Sequence, residues 1–147
     1  MKLAITSVML PRWDLAQTFE KLTRYGYDGV ELRVRDNPQD PNEEPSFWGR
    51  HVADVSPGNL MQRASEIRTA ADESGLRVIA FAPRATIADG ELIDHLFEGA
   101  RAIDPDQPPM IRIGAPRHDR TRAYMPQFDE ARAGFARLTD RARSAGV

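Results

Sequence analysis

At 147 residues the chain is long enough for one domain with a substantial core. Its formal net charge of -2 supplies no global attraction to nucleic acid or to an anionic membrane, and the lack of cysteine excludes disulfides, thiolate metal sites and cysteine nucleophiles. No stretch approaches the roughly 20 apolar residues of a membrane span, and the opening MKLAITSVML stops at Pro11 and Arg12 without the apolar run and cleavage site of a signal peptide, so a cytoplasmic location is expected.

Residues 3–8 form a short apolar run rich in β-formers, the first predicted strand. Asp14 suits the N-cap of a helix, with Gln17 three residues on as its capping-box partner. Leu15, Phe19, Leu22 and Tyr25 then recur at helical spacing, and Gly26 closes the helix. Val30 to Val34 reads as the second strand. Residues 35–57, with Pro38, Pro41, Pro45 and Pro57, form a loop of a length that is uncommon unless functional or disordered.

Ser56 is expected to cap the second helix, with Pro57 in its first turn. Leu60, Ala64, Ile67 and Ala71 give that helix its apolar stripe, and Gly75 stops it. Residues 76–82 read as the third strand, ended by Pro83. Residues 90–103 form a third helix carrying Leu92, Ile93, Leu96, Phe97 and Ala100, and the prolines between Asp104 and Pro109 break it. Residues 110–114 read as the fourth strand. A polar loop reaches Gln127, and a last helix spans 128–145 with Gly146 at its C-terminal end. The order βαβαβαβα implies an α/β protein with a parallel sheet and right-handed crossovers.

Three segments resemble the sugar phosphate isomerase/epimerase superfamily, the xylose-isomerase-like TIM barrels. They are Gly26-Tyr27-Asp28-Gly29-Val30-Glu31-Leu32-Arg33, the stretch AADESGLRVIAF, and Met110-Ile111-Arg112-Ile113-Gly114. Each motif alone is weak; their joint order and spacing cover almost the whole chain. The resemblance implies the N-terminal half of a (β/α)8 barrel, a (βα)4 unit with strands in order 1-2-3-4 and helices on one face. A complete barrel takes about 250 residues. The chain stops at Ala145-Gly146-Val147, a helix end followed by one strand-like residue, so a single partial domain over 1–147, cut before a fifth strand, is expected.

The resemblance further implies a sugar or sugar-phosphate substrate and metal-assisted proton transfer next to a carbonyl. In such proteins the divalent metal (Mn, Mg, Co or Zn) is held by carboxylates and a histidine on the fifth and later strands, and two carboxylates act as acid and base. No residue of this chain inherits those roles. The metal is expected only in the complete barrel, and this chain alone is expected to be inactive.

Strand alternation puts Val30, Leu32 and Val34 on one face and Glu31 and Arg33 on the other. Helices bury the apolar phase, so Glu31 and Arg33 point into the barrel. By the same logic Ile111 and Ile113 face helices and Arg112 faces inward. Buried charges need partners, which makes Glu31 and Arg112 a candidate pair, with Arg33 as the fallback. The pair reads either as a polar floor that positions a sugar hydroxyl or as a structural ion pair.

Loops that follow barrel strands line the active face. Trp13, Arg84 and His118 fall in such loops and complete the candidate substrate-binding set with Glu31, Arg33 and Arg112. Trp13 could stack on a sugar ring or cover the barrel end. The run Pro116 to Arg122 could grip phosphate or carboxylate or remain a solvated loop. Phe47 and Trp48 could form a lid or pack their own loop. His51 and His95 are read as solvent-facing, since a lone histidine lacks the further ligands a metal needs.

Two rivals complete the reading. An endonuclease-IV-like phosphodiesterase would need histidines at the ends of the second and third strands, where Arg33, Arg35, Pro83 and Arg84 stand instead. A non-catalytic half-barrel, acting as a binding or assembly module, would have to cover its two sheet edges, for example by forming a homodimer.

Overall fold

The computed structural model describes every residue except Gln39, which falls within the predicted loop 35–57. Four strands alternate with four α-helices: β1 (Ala4–Thr6), α1 (Leu15–Arg24), β2 (Gly29–Arg33), α2 (Leu60–Ser74), β3 (Arg77–Ala82), α3 (Gly90–Ile103), β4 (Met110–Ile111) and α4 (Tyr124–Ala145), with a 3-10 turn at Ser7–Met9. The strands pair in parallel, in the order β1-β2-β3-β4. This is the expected (βα)4 arrangement, consistent with half of a TIM barrel.

The helices form where the sequence supplies caps and an apolar stripe. Asp14 and Gln17 make a reciprocal capping box on α1, and Gly26, Gly75 and Gly146 take positive φ where α1, α2 and α4 end. Phe19 and Leu22 of α1, Leu60 and Ile67 of α2, and Ile93 and Leu96 of α3 join Val30, Leu32 and Phe81 of the sheet in one buried cluster. Each such large side chain contributes about 1.5–3 kcal/mol on burial. Val30, Leu32 and Val34 are all buried, so the apolar phase of β2 does face the helices.

A bulge in β3 keeps that phase intact. Val30 pairs with Val78 but Glu31 pairs with Ala80, so Ile79 is the extra residue. Val78 and Phe81, three apart, therefore both reach the helix-packed core. Gly29 accommodates the bulge, since a Cβ there would lie 2.8 Å from Ile79 Cγ2 and 3.2 Å from the Arg77 carbonyl oxygen.

Four boundaries differ by more than one residue from those read in the sequence. β1 ends at Thr6 because Ser7 turns into the 3-10 segment, where its Oγ accepts from the Arg33 amide at 2.7 Å. β4 keeps two paired residues of the predicted five, with a further single bridge between Thr86 and Gly114. α2 begins after Asn59 rather than at Ser56: the Asn59 side chain accepts from the Ser56 amide at 2.8 Å, holding residues 56–59 in a turn. α4 begins at Tyr124, because Pro126 sits in the first turn where its missing N–H is no loss. The Gln127 side-chain amide donates to the carbonyls of Asp119, Arg122 and Ala123, tying that turn to the preceding loop.

Candidate functional site

Parallel pairing brings the ends of all four strands, and the loops that follow them, to one side of the sheet. Glu31 and Arg112 meet there. Arg112 is placed by its amide, which donates to the Phe81 carbonyl at 3.1 Å. Glu31 is placed by its register with Ala80, which is paired in turn with Met110. The small alanine between them lets the two long side chains meet across β3. Arg112 Nε lies 3.5 Å from Glu31 Oε1, with the arginine side chain 57% exposed and the glutamate 18%.

A third guanidinium, that of Arg35, lies close enough to feel the charges of this pair and of Arg84. Arg35 donates through Nε to the Ala82 carbonyl at 3.0 Å. Burial lowers its pKa first, followed by the charges of Arg112 and Arg84, while Glu31 opposes them. Arg84 follows Ala82 by two residues and is exposed. It makes no hydrogen bond or ion pair among the described residues. Arg35 was not among the residues singled out as a site, although its odd position after Glu31 and Arg33 carried the same alternation signal.

Arg33 has a different environment. It is 6% exposed, and its guanidinium donates to the carbonyls of Arg35, Asp36 and Gly49 and to Asn37 Oδ1 at 3.0–3.3 Å. Burial lowers its pKa most, then Arg35, while Asp54 and Asp36 oppose. Its hydrogen bonds hold the long loop between β2 and α2 in place. Asn37 continues the network, donating to the His51 carbonyl and Asp54 Oδ1 and accepting from the His51 amide.

His51 corrects the solvent-facing reading. It is 3% exposed, with Nε2 3.4 Å from the Phe47 carbonyl oxygen. Burial, reinforced by Arg33, lowers its pKa to about 4, so the ring is neutral near pH 7. His95 is exposed, as expected.

The remaining candidates lie apart from the arginine cluster. Trp13 is half-buried, with Lys21 Nζ 4.7 Å from its ring, so it packs along α1. His118 meets Tyr124 edge-on at 5.7 Å, and Tyr124 stacks on Phe128 at 6.0 Å. These rings line a separate cleft of about 440 Å³ between the β4–α4 loop and Ile87. Phe47 and Trp48 contact each other edge-on at 4.4 Å, with Trp48 75% exposed.

The donor set does not suit a divalent cation. Glu31 is the single carboxylate amid three arginines, and no group of three or more histidine, aspartate or glutamate side chains among the described residues could hold a metal ion. No helix is long and apolar enough to cross a membrane among the described residues.

No protein-family model and no curated protein matches the chain. Its fold is similar to that of a xylose isomerase domain containing protein from Salmonella typhimurium LT2, with a TM-score of 0.60 and 18% identity over 99% of this chain. The chain spans about half of that protein's length, 47%. The fold is therefore xylose-isomerase-like.

Proposed function

We propose that this chain is the substrate-gripping half of a sugar isomerase/epimerase-like (β/α)8 barrel. The observation that supports this reading is the Glu31–Arg112 pair, set at the strand ends on the face turned away from the helices. Arg112 occupies Glu31 Oε1, leaving Oε2 to accept a hydrogen bond from a sugar hydroxyl. The Arg112 side chain is more than half exposed, and its Nη groups make no hydrogen bond or ion pair among the described residues. The acid–base carboxylates, and any divalent metal, belong to four further βα units. This chain contributes binding and orientation to the complete protein's proton transfer next to a carbonyl.

An NMR titration with a neutral ketopentose tests the reading. Saturable amide shifts confined to Thr6, Glu31, Ala82, Arg84 and Arg112 are expected. Shifts scattered over the surface, or none up to the solubility of the sugar, would sink it.

A second reading, a half-barrel that assembles with another copy through the edges of β1 and β4, is favoured by one observation. A groove of about 700 Å³ runs beside β4, lined by Met110, Ile111, Ile113, Phe135, Leu138 and Val147. Light scattering decides it, since a second copy seated there would give a dimer that Ile113→Asp dissociates.

A further inference from the structure

The cleft between the β4–α4 loop and Ile87 is separate from the strand-end face, since Glu31, Arg35 and Arg112 do not line it. We infer that this cleft binds an aromatic monocarboxylate, with Arg117 holding the carboxylate and Tyr124 and Phe128 covering the ring. Charge is the first ground. The titratable groups lining the cleft are Arg117, His118, Arg122, Tyr124 and Glu130. Arg122 is already engaged, because its Nη2 donates to Glu130 Oε1 at 2.7 Å. Arg117 is exposed and makes no hydrogen bond or ion pair among the described residues. With Arg122 balanced by Glu130, Arg117 is the guanidinium left over. A single carboxylate matches it in charge, and the planar fork of arginine suits bidentate contact with the two oxygens.

The apolar surface is the second ground. Tyr124 and Phe128 stand one turn apart on α4, with ring planes 26° from parallel, and His118 meets Tyr124 edge-on. Tyr124 is 60% exposed and Phe128 47%. Ring surface left open in a concavity is stabilised by being covered, and a second aromatic ring gains more from such contact than a saturated one of equal area. A volume of about 440 Å³ has room for a ligand of one or two rings.

The walls are fixed before any ligand arrives. Gln127 donates to the carbonyls of Asp119, Arg122 and Ala123 and accepts from the Asp119 amide, which ties the loop to α4. On the opposite side Ile87 packs against α4 over Gly134, where a Cβ would collide with its Cδ1. A preformed cleft spares the ligand the cost of ordering the loop.

An NMR titration of the whole chain tests the inference. The probes are a naphthoate, the uncharged naphthamide of the same shape, and the saturated decahydronaphthalene carboxylate. The naphthoate should shift the amides of Ile87, Ala115, His118 and Phe128 saturably. It should bind about tenfold more tightly than the amide, the effect of a charge-assisted hydrogen bond, and about fivefold more tightly than the saturated acid. Arg117→Gln should remove the preference for acid over amide. Tyr124→Leu and Phe128→Leu should each weaken the naphthoate about fivefold, and since both rings are about half exposed the fold should survive either change. Arg120→Gln, in the same loop but outside the cleft lining, should change nothing.

Equal binding of naphthoate and naphthamide would overturn the carboxylate assignment, and equal binding of the saturated acid would overturn the aromatic one. Weakening by Arg120→Gln as large as that by Arg117→Gln would reduce the effect to the general charge of the loop and defeat the site. Shifts of the same amides with protein concentration alone would show a second copy in the cleft, which also defeats it, as would no saturable shift at millimolar naphthoate.

Discussion

The ends of β2 and β4 carry the same kind of residue used in opposite ways. At the end of β2, Arg33 is buried and hydrogen-bonded to three backbone carbonyls of the following loop and to Asn37. Asn59 donates to the Asp54 carbonyl at 2.8 Å, and Arg63 donates to the carbonyls of Ala53 and Asp54. Polar side chains thereby tie residues 35–37 of the loop to residues 49–54 and to the start of α2. At the start of the β4–α4 loop, Arg112 is more than half exposed and makes one ion pair. Two arginines on the inner face of such a sheet are thus told apart, one engaged and one open, by counting their bonded donors.

Removing Arg33 should break this comparison most severely. Arg33→Gln orphans several carbonyls of the loop and should cost about 3 kcal/mol of unfolding free energy. Urea denaturation reads it, and a loss under about 1 kcal/mol would mean that the loop does not depend on that guanidinium.

His51 gives the loop a pH dependence that the open arginines lack. Its folded pKa of about 4 lies below the ordinary 6.5. Between these values the unfolded chain binds more protons, so stability rises with pH. The contribution is present in full above the unfolded value and is lost as pH falls from about 6.5 to 4. Allowing for solvent relaxation around the ring, it amounts to about 2 kcal/mol. The gap in unfolding free energy between the parent chain and His51→Gln should narrow over that window, and a constant gap would contradict the buried neutral ring.

The open region should respond least. Glu31→Gln removes an ion pair whose arginine is largely solvated, and should cost no more than about 1 kcal/mol. A loss of several kcal/mol would show that the pair is buried as in a closed barrel.

Much of the fold was legible because local signals agreed with it. The Asp14–Gln17 box and the glycines at positions 26, 75 and 146 sit where the caps are found. Alternation in β2 gave the faces correctly, and the same logic brought Glu31 and Arg112 together. What escaped depended on contacts distant in sequence. The end of β1 is set by Ser7 meeting Arg33, 26 residues away. His51 is buried by a network centred on Asn37, 14 residues earlier. Arg33 and Arg112 looked equivalent as charges between apolar neighbours, and the carbonyls that engage Arg33 come from a loop whose path no periodicity encodes.

The division between spent and open arginines can be measured directly by arginine-selective NMR of rotation about the Nε–Cζ bond in the free chain. Hydrogen bonds to both Nη atoms should restrain Arg33, giving separately resolved Nη signals. Arg84 and Arg112 should rotate fast enough to average theirs into one. An averaged Arg33, or resolved Nη signals for Arg84 and Arg112 without any ligand, would contradict the account.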